Sequence, residues 1–72
     1  MLYRITAKFE GQEMLIGEYA TNRATALDIA DEVLETIAYG EVLIDRKASQ
    51  FQDWEWWMTL ARDKNWKEKY GC

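Results

Sequence analysis

The chain has 72 residues, 49% hydrophobic and 14% aromatic, with no proline. A length of this order admits one domain that buries only about 60% of its unfolded surface, and the aromatic and aliphatic content excludes an intrinsically disordered chain. The net charge is −4 and falls almost entirely before residue 41, which argues against the basic face that a generic duplex-DNA binder needs.

Leu2 to Phe9 alternates, with Tyr3, Ile5, Ala7 and Phe9 on one side and Arg4, Thr6 and Lys8 on the other. A period of two predicts a half-buried strand. Glu10-Gly11-Gln12-Glu13 is polar and carries a glycine, so a hairpin loop is expected. The return strand runs from Met14 to Ala20, with Gly17 marking a bulge or a close approach. Thr21 and Asn22 are both able to cap the helix that follows. Along that helix Ala26, Leu27, Ala30, Val33, Leu34 and Ile37 form a single apolar stripe. Tyr39-Gly40 ends it, and Gly40 suits the left-handed position beyond a helix end. Glu41 to Lys47 is rich in branched residues and predicts a third strand, and Ser49 to Asp53 a loop.

Residues 54–62 admit two readings. As a strand, Trp54, Trp56, Met58 and Leu60 share one face and Glu55, Trp57 and Thr59 the other. As a helix, Trp54, Trp57, Met58 and Ala61 come together instead. The strand separates apolar from polar more cleanly, and aromatic enrichment favours it. The expected fold is therefore α+β, in the order β-β-α-β-β, with one helix packed on one face of a small antiparallel sheet. A single domain over 1–72 is expected, its ordered core spanning about 2–62 and a tail spanning 63–72. The lone cysteine, Cys72, has no partner within the chain and is expected to be an inert thiol, which suits a cytoplasmic setting. No apolar run approaches the roughly 18 residues that cross a bilayer, so no membrane association is expected.

Histidine is absent, which removes the commonest general base and metal ligand together with any Ser-His or Cys-His nucleophile. One cysteine without histidine also excludes the usual structural zinc sites. Gly11, Gly17, Gly40 and Gly71 are too scattered to form a phosphate-cradling loop. Carboxylates on a convex helix do not form the cleft that hydrolysis requires. Neither an enzymatic activity nor a cofactor is expected.

Two features are suited to binding. Asp28, Asp31, Glu32 and Glu35 stand at i, i+3, i+4 and i+7, a row along one exposed helix face. Its plain interpretation is the solvated side of an amphipathic helix. The sharper one is an anionic surface that docks on a basic patch or imitates a phosphate backbone, since clustered like charges cost stability. The second feature is aromatic: Phe51, Trp54, Trp56, Trp57, Trp66 and Tyr70 all follow residue 50. Trp56 and Trp57 are adjacent and point to opposite faces of a strand. Trp56 is expected in the core with Met58, and Trp57 and Trp66 are the candidates for exposed recognition residues.

The capped, alanine-punctuated helix Thr21-Asn22-Arg23-Ala24-Thr25-Ala26-Leu27-Asp28-Ile29-Ala30 leads to Gly40-Glu41-Val42-Leu43-Ile44. A tryptophan-bearing segment from Trp54 to Leu60 and the turn Asp63-Lys64-Asn65-Trp66 follow. In this order of parts the chain resembles small phage-encoded proteins that disable host machinery: the anti-CRISPR inhibitors and the short phage inhibitors of bacterial RNA polymerase. The resemblance covers about two thirds of the chain as a pattern of elements. It implies a stoichiometric inhibitor, at work in the host cytoplasm, that occupies a surface of a nucleic-acid-handling complex. The partner is then a protein, met through Asp28, Asp31, Glu32, Glu35, Trp57 and Trp66. A second reading is a single-stranded nucleic-acid or RNA binder using Trp57, Trp66 and the basic residues Lys64, Lys67 and Lys69, which net acidity opposes. A third is a homodimeric accessory subunit joined through exposed aromatics.

Overall fold

The computed structural model describes residues 1–63. Four strands and one helix follow in the order β1 (Leu2–Phe9), β2 (Gln12–Ala20), α1 (Arg23–Ile37), β3 (Gly40–Lys47) and β4 (Glu55–Arg62). The strands form one antiparallel sheet with spatial order β2-β1-β3-β4, so the first strand is central and β2 and β4 are edges. The α+β class and the element order agree with the pattern of hydrophobicity.

The hairpin is tighter than the four polar residues suggest. Glu10 and Gly11 alone connect the strands, both at positive φ (53° and 76°), as the mirror-image turns that match strand twist require. Gln12 and Glu13 already pair with Phe9 and Lys8. Gly17 sits beside a slip of register that leaves Ile16 without a partner on β1. A Cβ on Gly17 would come within 2.8 Å of the Tyr19 hydroxyl.

Asn22 is the helix cap. Its side-chain oxygen accepts from the Thr25 N–H at 2.9 Å, and its own backbone is extended. The helix stops earlier than Gly40. Ala38 takes the positive φ (69°) at its end, and its N–H donates to the Leu34 carbonyl at 2.9 Å. Gly40 serves another purpose: at φ 120° it opens β3, and a Cβ there would lie 2.6 Å from the Lys8 carbonyl oxygen. The glycine lets β3 start against the end of β1.

The core lies between α1 and the sheet. Ala26, Ala30 and Leu34, one helical turn apart, are buried against Tyr3, Ile5, Val42 and Ile44. The two alanines let the helix approach closely. Leu27, Val33 and Ile37 of the expected stripe, with Ile29, are half-buried around this centre. The registers Ile5–Ile44–Met58 and Ala7–Val42–Leu60 carry the apolar rows across three strands. The helix packs chiefly on β3, with β1 and β4 beside it.

Within residues 54–62, Glu55–Arg62 is strand, not helix, with a bulge, and Trp54 lies just before it. Ile44 pairs with Met58 and Asp45 with Trp56, so Trp57 is the extra residue. This reverses the expected facing of the two indoles. Two successive side chains, Trp57 and Met58, face the helix, where both pack on the core. Trp57 meets the Tyr3 ring at 5.5 Å and lies under the Arg46 guanidinium at 5.6 Å. Trp56 is turned to the uncovered face and is 62% exposed. Among the described residues, no helix is long and apolar enough to cross a membrane.

Candidate binding surfaces

One sheet face carries the helix and the other is uncovered, which gives the molecule two unlike surfaces. On the helix side, Asp28, Asp31, Glu32 and Glu35 are all exposed. The capped register and the buried alanine stripe fix their direction, because Ala26, Ala30 and Leu34 point into the sheet and force the acids outward. None of the four has an ion-pair partner among the described residues. The last helical turn contains Glu35 and no basic residue, so this carboxylate opposes the helix dipole.

The uncovered face has a different chemistry. Arg4 and Asp45 are cross-strand neighbours, and the Arg4 Nε and Nη2 both donate to Asp45 Oδ2, at 3.2 and 3.0 Å. The Trp54 ring lies within reach of two cations, with the Arg4 guanidinium carbon 4.9 Å and Lys47 Nζ 4.4 Å from its centroid. Cation–π contacts at such exposed sites contribute about 0.5–1 kcal/mol each. Trp56 stands opposite Asp45, and its indole N–H donates to the Thr59 hydroxyl at 2.8 Å. Leu15, 57% exposed, and the half-buried Leu43 add apolar surface on this face. Arg4, Lys8 and Lys47 are interleaved there with Glu13, Glu18, Glu41 and Asp45, so the face carries no net positive field.

The expected site residues that the structure describes do not form one surface. The four acids stand together on the helix. Trp57, expected to be exposed, is half-buried and packs against the core on the helix side, a correction that follows from the bulge. Trp66 lies outside the described residues, as do Lys64, Lys67, Lys69 and Cys72. Trp56, expected in the core, is the exposed indole among the described residues, on the side opposite the acids. Spacing in the sequence does not bring Arg4, Trp54 and Lys47 together, because they converge only when β1, β3 and the approach to β4 are set side by side. Among the described residues no three acidic, cysteine or histidine side chains converge as metal ligands would. No protein-family model matches the chain, and no curated protein or solved structure matches it either.

Proposed function

We propose that this chain is a non-enzymatic protein-binding inhibitor that docks the acidic face of α1 on a basic surface of a nucleic-acid-handling partner. One observation carries the reading: Asp28, Asp31, Glu32 and Glu35 are exposed in a row with no cation paired to them among the described residues. Seven helical residues rise about 10.5 Å. Four carboxylates over that length make a dense anionic row, of the sign that a phosphate-binding surface attracts. The opposed macrodipole and the mutual repulsion within the row favour a role for these acids other than helix stability.

This mode is that of the phage-encoded inhibitors the chain resembles, with inhibition by occupation of a phosphate-binding surface. The test is capture of partners from a bacterial lysate by the wild-type chain and by the double variant Asp31→Lys, Glu35→Lys. A nucleic-acid-binding protein retained by the wild type, released by salt and lost with the double variant is the expected outcome. Retention by both chains overturns the reading. So does tight, salt-sensitive quenching of tryptophan fluorescence by short single-stranded oligonucleotides.

A further inference from the structure

Because α1 lies over β3, β1 and β4, an open apolar groove of about 540 Å³ remains between the helix and edge strand β2. Met14, Ile16 and Tyr19 line it from β2, and Ile29 and Val33 from the helix, with Glu32 the charged residue on its wall. Met14 is 53% exposed there. No described strand pairs with the outer side of β2, so backbone donors and acceptors stand free beside the groove.

We propose that this groove and edge seat an extended segment of a partner protein, alternating apolar and basic residues, which adds to the sheet beside β2. Strand addition supplies backbone hydrogen bonds, and alternate side chains supply selectivity. On the groove side the segment meets Met14, Ile16 and Tyr19, so those side chains must be apolar. On the other side β2 presents Glu13, Leu15 and Glu18, so those must be basic. The strand already paired to β2 has this chemistry: Arg4 stands opposite Glu18 and Lys8 opposite Glu13, while Ile5 and Ala7 face the helix. The bulge at Ile16 shortens the run available for pairing and so favours a short segment.

Charge decides against a second copy of the chain as the occupant. β2 contains Glu13 and Glu18 but no lysine or arginine, and Glu32 lies across the groove. Two such strands side by side bring like charges together, which is unfavourable. The site meets the helix reading above only at Glu32, since Asp28, Asp31 and Glu35 do not line the groove.

The test follows backbone amide shifts of the full chain by NMR during titration with a synthetic peptide of alternating lysine and valine. A control peptide carries glutamate in place of every lysine. The lysine peptide is expected to shift β2 and the helix flank at Ile29 and Val33, and to bind at least about 10-fold more tightly than the control. Met14→Lys, at an exposed position, should weaken it about 10-fold, whereas Asp31→Lys with Glu35→Lys should change it less than about twofold. Equal binding of both peptides, shifts centred on Trp56, or indifference to Met14→Lys overturns the proposal, and so does loss of binding on reversal of Asp31 and Glu35. Without peptide, a dimer that Met14→Lys dissociates overturns it in favour of a second copy. A contact between the Trp66 indole and Met14 or Ile29 overturns it in favour of the chain's own residues 64–72. Failure of the helix reading is seen separately, in lysate capture.

Discussion

Strain in this molecule is gathered at the junction of α1 and β3. Ala38 has φ 69° and ψ −39°, and across it the Tyr39 N–H donates to the Ile37 carbonyl at 2.9 Å. That is a γ-turn of the rarer, strained sense, held by a residue whose Cβ disfavours positive φ. Ala38→Gly is expected to stabilise the fold by about 1 kcal/mol. The melting temperature should then rise by roughly 4–8 °C for a domain of this size. An unchanged or lower value in a thermal melt would mean that the added chain entropy of glycine cancels the relief. At the next position, Tyr39 donates its hydroxyl to the Glu10 carboxylate. This bond, with lesser contributions from desolvation and the negative charge of Glu10, raises the phenol above its ordinary value near 10. A raised folded value means that the stabilisation is complete below pH 10 and is lost as pH rises through the folded pKa. Tyr39→Phe should flatten the alkaline arm of a stability–pH curve, and an arm of unchanged slope would contradict the assignment.

At the scale of elements, β4 shows what pattern alone reads and what it misses. The alternation from Tyr3 to Phe9 and the Asn22 cap are local properties, and both appear in the fold as their residues dictate. The strand character of Glu55 to Leu60 is also legible, because aromatic spacing is local, although Trp54 falls just outside the strand. The facing of Trp56 and Trp57 was not. Strict alternation has no place for an extra residue, and the bulge depends on the register with Ile44 and Asp45, far away in sequence. The juxtaposition of apolar Trp57 and Met58 between polar Glu55 and Thr59 is the trace such a bulge leaves. The two indoles should therefore respond differently to truncation. Trp57→Ala removes the contacts with Tyr3 and Arg46 and is expected to cost about 2–4 kcal/mol. Trp56→Ala should stay within about 0.5 kcal/mol, since it removes an exposed ring. Equal losses in urea unfolding would place both indoles on the core.

For the whole molecule, the uncovered sheet face and the acidic helix face look in opposite directions, so a flat partner engages one of them. Charge gives the two faces different physics. The sheet face neutralises itself through pairs such as Arg4 with Asp45, and a salt bridge this exposed contributes about 1 kcal/mol or less. The helix face leaves its charge uncompensated, and that supports separating stability from recognition by mutation. In Asp31→Lys with Glu35→Lys, the new lysines fall three residues after Asp28 and Glu32, and one enters the last turn, where the dipole favours a cation. Each change converts a repulsion into an attraction of a few tenths of a kcal/mol, so the double variant should be more stable by about 0.5–1.5 kcal/mol at low salt. The gain should shrink toward zero at about 1 M salt, where the screening length falls to roughly 3 Å. Urea unfolding at the two salt concentrations measures it. A more stable chain that has lost its partner is the signature of a surface kept for binding at the expense of the fold. A less stable one would mean that the row takes part in packing, and the proposed inhibitor would then have no recognition face on its helix.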